Sequence, residues 1–171
     1  IVHSEMPATN DVNHGLQLWV NLPSHSKMVP ANYQDLTKDN MVEKQVTDHT
    51  HVTVIAGKSE TAGLQSILKL HQEIMFLDIK ITKPGEKYSD VIPAKHQGFF
   101  YVLSGSGKLG GVATDSFAHK QALFFKQSSN DEDQVFEWEA VDASDETPFR
   151  VALITGEPLN EPVARYGPFV M

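Results

Sequence analysis

The segment MFLDIKITKPG, residues 75–85, decides the fold of this chain. From Met75 to Ile81 every second residue is apolar, and Asp78 and Lys80 occupy positions between them. Successive side chains of a β-strand point to opposite faces, so this period of two predicts a strand with one buried face. The Lys-Pro-Gly sequence that ends at Gly85 predicts a turn after the strand.

Similar short patterns recur along the chain. Apolar or alternating runs predict further strands at residues 16–21, 52–56, 99–103, 122–125, 135–139 and 149–155. Short strands separated by Gly, Pro, Asn or Asp are typical of β-sandwiches and β-barrels. No long window follows the helical period, so the chain is predicted to be all-β.

Composition divides the chain into four predicted segments. Residues 1–22 are interpreted as the end of one β unit, and residues 23–50 as a polar connector with prolines. Residues 51–156 have the strand pattern of a complete second β unit. Residues 157–171 are rich in proline and are predicted to run in extended form, with an apolar end that docks on residues 1–21.

Charge and cysteine content exclude several classes of protein. The net charge is -8 and the fourteen basic residues are scattered, which argues against a surface that follows nucleic-acid phosphates. The absence of cysteine excludes disulfides and thiolate metal sites. No apolar run is long enough for a membrane helix, so no membrane partner is expected. The first residue is Ile1 and not Met, and the sequence is interpreted as part of a longer protein.

The strongest candidate site is the pair His3 and Glu5 near the amino end. Residues two apart on a strand share one face, so the imidazole and the carboxylate would point to one place. Such a pair is half of a metal site, half of an acid/base pair, or part of a solvated polar face. Transition metals take three or more protein ligands, so two residues do not complete a site.

Four other motifs are weaker candidates. His49 and His51 have the spacing of two ligands, but they lie at the end of the polar connector and are interpreted as an exposed strand entry. Glu137 and Glu139 are predicted to lie on the outer face of a strand. Residues 104–107, SGSG, are interpreted as a hairpin turn rather than a phosphate loop, because no helix follows them. His96 and His119, in predicted loops, have no clear partners.

Several longer segments resemble the pirin family. IVHSEMP at residues 1–7 and HGLQLWVNLP at 14–23 carry most of the resemblance. PANYQ at 30–34, VTVIAG at 52–57, ITGEPLNEPV at 154–163 and YGPFVM at 166–171 add to it in the family order. The resemblance therefore covers the whole chain.

The resemblance implies a bicupin, which consists of two antiparallel jelly-roll β-barrels. In this chain the carboxy-terminal barrel would be complete and the amino-terminal barrel only partly present. Tyr88, Ser89 and Asp90 stand where a metal-binding cupin places a His-x-His motif, so the carboxy-terminal barrel is expected to be metal-free.

The resemblance also implies an iron site. Pirins hold iron with three His and one Glu, and by this match His3 and Glu5 would be two of the four ligands. The other two, an upstream His-x-His, precede the sequence. Imidazole and carboxylate ligands suit an iron centre that changes between Fe2+ and Fe3+ and keeps a position open.

Two functions follow from the resemblance. One is a nuclear and cytoplasmic transcriptional co-regulator, monomeric, whose iron state controls docking to a transcription-factor complex without direct nucleic-acid contact. The alternative is an oxidoreductase of the quercetin 2,3-dioxygenase type, which uses the same iron on a flavonol-like small molecule. The sequence does not choose between enzyme and co-regulator.

Overall fold

The computed structural model describes residues 6, 12, 14–110, 116–166 and 169–170. Contacts between Cα atoms group residues 34–158 into one compact unit and residues 1–33 with 159–171 into another. Most of the regular structure lies in the larger unit. The four-segment division made from the sequence stays a prediction.

The larger unit consists of short strands. Within its described residues they are β1 (Val42–Thr47), β2 (Thr50–Ala56), β3 (Lys58–Ser59), β4 (Leu64–Gln65), β5 (Ile74–Ile81), β6 (Lys87–Ile92), β7 (Gln97–Ser104), β8 (Ser106–Leu109), β9 (Phe117–Ala118), β10 (Ala122–Phe125), β11 (Gln134–Asp142) and β12 (Phe149–Gly156). The described part of this unit contains no α-helix, and the prediction of an all-β fold is confirmed.

Ten of these strands form two antiparallel sheets. The first has six strands in the order β1-β2-β5-β12-β7-β10, and the second has four in the order β6-β11-β8-β9. The central pair of the larger sheet, β5 and β12, stays in register over eight residues from Ile81 opposite Phe149 to Ile74 opposite Gly156. Strands β3 and β4 form a separate two-stranded antiparallel ladder.

One apolar core is shared by both sheets. Alternate residues of the six-stranded sheet are fully buried in it, among them Val54, Leu77 and Leu153. Trp138 of the four-stranded sheet is also fully buried, and it stacks on Tyr88 with ring centroids 6.3 Å apart. The two-residue period predicted the buried face of these strands because every second side chain of a strand points to one side.

The predicted strands of the larger unit are confirmed, with boundary changes of at most three residues. The predicted strand at residues 16–21 is wrong, because these residues form no strand. A strand gains its backbone hydrogen bonds from a neighbour, and no described strand pairs with this segment. Trp19 is 77% exposed there. Strand β1 lies inside the range 23–50 that was interpreted as a connector.

The predicted hairpin at residues 104–107 is also wrong. The segment connects β7 of the six-stranded sheet to β8 of the four-stranded sheet, and these two strands do not pair. Gly105 makes the bend with a φ of +66°. A Cβ on Gly105 would lie 2.8 Å from backbone atoms of Asp142, Pro148 and Phe149, so this close crossing requires glycine.

The smaller unit has little regular structure among its described residues. It contains a 3-10 turn at Ser24–Ser26 and a two-stranded ladder of β13 (Arg165–Tyr166) and β14 (Phe169–Val170). The backbone amide and hydroxyl of Ser24 donate hydrogen bonds of 3.0 and 3.1 Å to the carboxylate of Glu161. Docking of residues 166–171 on residues 1–21 stays a prediction, because most of residues 1–13 lie outside the described ranges.

A search of the described residues for membrane-spanning segments found no helix with the necessary length and apolar character.

Candidate functional site

His3 and Glu5, the predicted metal ligands, lie outside the described residues. Their placement on one strand face and their role as ligands therefore stay predictions. Among the residues that the structure does describe, no group of three or more His, Asp or Glu side chains has a geometry that could hold a metal ion. The candidate site within the described ranges is a pocket of the larger unit.

The pocket has a volume of about 640 Å3. Volumes of this size are typical of sites for small organic ligands. Its apolar lining consists of Leu68, Leu70, Ile74, Met75, Val91 and Pro93. Charged side chains of Lys58, Glu60, Glu73 and Asp133 also line it. The pocket is therefore partly apolar, with three carboxylates and one ammonium group.

His96 is the buried polar group of this pocket. It is only 4% exposed, and its Nδ1 forms a hydrogen bond of 2.8 Å with the hydroxyl oxygen of Thr155. Its Nε2 is buried and has no hydrogen-bond partner among the residues that the structure describes. The backbone turn at Pro93 positions this residue, because the His96 amide donates to the Pro93 carbonyl at 2.9 Å.

His96 lies in the loop between β6 and β7, as predicted, but the prediction that it has no clear partner is wrong. Thr155 lies on β12, 59 residues away, and only the folded sheet brings the two side chains together. No local motif connects these positions, so sequence spacing offered no signal for the pair. His119 also has a partner, because its Nδ1 lies 2.7 Å from the carbonyl oxygen of Leu103.

One wall of the pocket is held by a buried polar cluster around Asp90. The Asp90 side chain is fully buried, and its Oδ2 accepts hydrogen bonds from the hydroxyls of Ser59 and Tyr88. Its Oδ1 accepts from the backbone amides of Glu60, Thr61 and Val91 at 2.9–3.3 Å. Both oxygens are therefore occupied by donors from the protein.

Tyr88 donates its phenolic proton to Asp90 at 2.7 Å, and burial raises the pKa of this phenol far above its usual range. The neighbouring Asp90 carboxylate raises it further. Tyr88 therefore remains a protonated donor at physiological pH. Both carboxylate oxygens of Asp90 bind donors of the barrel itself. That the carboxy-terminal barrel is metal-free stays a prediction.

The remaining candidates lie on the outer faces of the sheets. Lys87 Nζ lies 2.8 Å from a carboxylate oxygen of Glu137 and 3.5 Å from one of Glu139, in agreement with the predicted outer face. His51 on β2 lies 3.8 Å from the carboxylate of Glu43 on β1. These are partly exposed pairs between neighbouring strands, and such pairs contribute little to stability.

The burial of His96 predicts a specific pH dependence. Burial is the main cause that lowers the pKa of its imidazole below the ordinary 6.5, and Lys95 also lowers it, while Glu73, Glu157 and Asp133 partly oppose this. The unfolded chain therefore binds a proton at this position before the folded chain does. The contribution of neutral His96 to the free energy of unfolding is fully present above pH 6.5. It is lost as the pH falls from there towards the lower pKa of His96 in the folded state.

Urea unfolding between about pH 8 and pH 5 checks this prediction. His96 is expected to make the free energy of unfolding fall with decreasing pH by at most about 1.4 kcal/mol per pH unit. The variant His96→Gln is expected to lose that part of the slope. The same change at exposed His119 controls for the replacement of an imidazole by an amide. Equal slopes in the wild type and His96→Gln would contradict the prediction.

Comparison with known proteins places the fold in a family. The sequence profile of the pirin C-terminal cupin domain matches residues 76–171, which is more than half of the chain. The chain belongs to the pirin family. The resemblance seen in its motifs is confirmed, and the two-sheet unit is a cupin β-barrel.

Pirin relatives match over the whole chain. Pirin-like protein 2 of Arabidopsis thaliana is 40% identical over 100% of this chain and 51% of its own length. Human Pirin is 38% identical over 100% of this chain and 55% of its own length. The chain thus spans about half the length of the curated relatives it matches.

Solved structures agree with the assignment to the cupin fold. A quercetin 2,3-dioxygenase from Acinetobacter baumannii superimposes with a TM-score of 0.74 and 30% identity, over 90% of this chain and 49% of the other. A crystal structure from Geobacillus kaustophilus also gives a TM-score of 0.74 and 30% identity, over 85% of this chain and 54% of the other.

Proposed function

We propose that this pirin-family protein binds iron through His3 and Glu5 together with two further His upstream of the sequence. The observation that carries the proposal is the family match at residues 76–171, combined with the HSEMP motif at residues 3–7. An imidazole and a carboxylate fit the donor preference of iron. Bound iron would supply a redox-active Lewis acid with an open position.

The described residues have a supporting role in this proposal. In this proposal the barrel of residues 34–158 supplies no iron ligand, and the carboxylate oxygens of Asp90 accept hydrogen bonds from groups of the barrel itself. The barrel would supply a stable surface rather than a second metal centre. The proposed role of the protein is then that of a monomeric co-regulator in the nucleus and cytoplasm.

As a co-regulator, the protein would bind a transcription-factor complex in a manner that depends on its iron state. The net charge of -8 favours contacts with protein over direct contacts with nucleic acid. The alternative function is oxygenation of a flavonol-like molecule at the same iron. The specific observation that favours the alternative is the structural match to the Acinetobacter baumannii quercetin 2,3-dioxygenase.

Turnover of quercetin separates the two functions. The full-length protein is loaded with Fe2+, and the loss of quercetin absorbance is measured together with oxygen consumption. The matched control is the same protein with His3→Ala, loaded in the same way. Catalytic turnover that disappears in His3→Ala supports the dioxygenase, whereas iron binding without turnover supports the co-regulator.

A further inference from the structure

Strand β10 is an open edge of the six-stranded sheet. It is the last strand in the order of that sheet, and among the described strands it pairs with β7 alone. No other described segment forms a hydrogen bond to the backbone of residues 122–125. The backbone groups on the free side of β10, which is the side away from β7, are therefore available to a further strand.

The side chains of β10 are also less covered than those at the centre of the sheet. Leu123 and Phe125 contact the core but are only partly buried, whereas Leu77 on the central strand β5 is fully buried. Ala122 is exposed, and Phe124 is 75% exposed. Every residue of this edge strand therefore has access to solvent.

The opposite edge of the same sheet differs in charge. Strand β1 carries exposed Glu43 and Lys44. Charged side chains on an edge strand discourage pairing with other chains. The sequence of β10 is ALFF and contains no charged residue, so β10 lacks the protection that β1 has.

An apolar row leads from β10 across the outer face of the sheet. Phe124 lies opposite Phe99, with their ring centroids 5.3 Å apart. Phe99 lies opposite Ile154, which in turn lies opposite Phe76. Phe99, Ile154 and Phe76 are only partly buried. A strand added at β10 would place an apolar side chain of its own beside Phe124, at the end of this row.

The charge at the two ends of β10 restricts the partner. Lys120 lies just before the strand and Lys126 directly after it, and both are exposed. Within the described residues neither lysine forms an ion pair, not even with the carboxylates of residues 131–133 in the loop that follows. Two unpaired lysines that flank an uncharged apolar edge favour a segment with carboxylates near its ends.

We propose that β10 binds an acidic, extended peptide segment of a partner protein as an additional strand of the sheet. Backbone hydrogen bonds to residues 122–125 hold the segment, as in other complexes that extend a sheet at its edge. An apolar side chain of the segment contacts Phe124, and its carboxylates lie near Lys120 and Lys126. This surface goes beyond the proposed iron function, because it contains none of the proposed ligands and does not depend on iron.

The probe is a short peptide with glutamates at both ends and alternating threonine and valine between them, acetylated and amidated. One comparison peptide has lysines in place of the glutamates, and another has N-methyl groups on its central amides. Binding to the full-length protein without iron is followed by fluorescence anisotropy and by the 1H–15N NMR shifts of residues 122–125. The glutamate peptide is expected to bind at least about tenfold more tightly than either comparison peptide. Equal binding of the N-methylated peptide, or shifts confined to other surfaces, would overturn the proposal.

A matched pair of alanine variants tests the apolar contact. Phe124 is 75% exposed on β10, and Val135 is 65% exposed on β11 of the other sheet. Phe124→Ala is expected to weaken binding of the glutamate peptide about tenfold, and Val135→Ala to leave it unchanged. Equal effects of the two variants would contradict the assigned surface.

A pair of charge reversals tests the electrostatic part. Lys126→Glu is expected to weaken binding of the glutamate peptide about threefold or more and to strengthen binding of the lysine peptide. Lys108→Glu is the control, because Lys108 is exposed on β8 of the other sheet. An unchanged preference between the two peptides in Lys126→Glu would refute the role of this lysine.

Sedimentation velocity without peptide decides whether a second copy of the protein occupies the edge instead. A monomer is expected at the concentrations used for the titrations. A dimer that dissociates in Phe124→Ala would overturn the proposal in favour of pairing between two copies. Because all measurements are made without iron, their failure leaves the proposed iron function standing, and loss of iron binding leaves the edge strand unaffected.

Discussion

Replacing Asp90 by alanine is expected to lower the free energy of unfolding of the cupin barrel by at least about 3 kcal/mol. Asp90 is fully buried and accepts hydrogen bonds from two hydroxyls and three backbone amides. Alanine leaves these donors without an acceptor, and each buried unsatisfied group costs about 1–3 kcal/mol. Relaxation of the loop at residues 59–62 recovers part of this cost by admitting water.

The measurement is urea unfolding followed by the fluorescence of Trp138, which stacks on Tyr88 beside the cluster. Asp133→Ala is the matched control, because its carboxylate accepts a hydrogen bond from one amide, that of Ala94, in an exposed position. The control is expected to lose less than about 1 kcal/mol, the usual value of one hydrogen bond. Equal losses in the two variants would show that the Asp90 cluster is not a principal support of the barrel.

The second large effect is expected in iron binding by the full-length protein. His3→Ala and Glu5→Ala are each expected to remove most of the iron that remains after dialysis, because loss of one ligand from a four-ligand site leaves incomplete coordination. Residues 1–171 alone are expected to bind iron weakly for the same reason, since they would supply two of the four ligands. Metal analysis by mass spectrometry measures the iron content.

His14→Ala is the matched control for this experiment. His14 is an exposed histidine in the same region of the sequence, outside the HSEMP motif. The control is expected to retain the iron of the wild type. Stoichiometric iron in dialysed residues 1–171, or full iron in His3→Ala, would refute the assigned ligands.

The carboxy-terminal barrel was largely predictable because its signals are local. The alternation from Met75 to Ile81 identified β5 and its buried face, since side chains of a strand alternate whatever their distant neighbours are. The outer position of Glu137 and Glu139 followed from the same period on β11. Family motifs such as VTVIAG at residues 52–57 extended these predictions to the cupin fold.

Predictions failed where the result depends on which segments become neighbours. Residues 16–21 alternate as a strand does but form none, because the pattern does not say whether a partner strand is present. The glycines at 105 and 107 predicted a hairpin turn, but the chain passes there from one sheet to the other. The same local sequence is compatible with both connections, and only the packing against β11 and β12 distinguishes them.

The sequence by itself determined the all-β class, the pirin resemblance and the choice of His3 and Glu5 as proposed ligands, because strand period and motif identity are properties of adjacent residues. Only the tertiary structure decided that Asp90 is a fully bonded structural group and that His96 meets Thr155 at a pocket. The physical reason is that hydrogen bonding and burial depend on partners far away in the chain: 59 residues separate His96 from Thr155, and 31 separate Ser59 from Asp90.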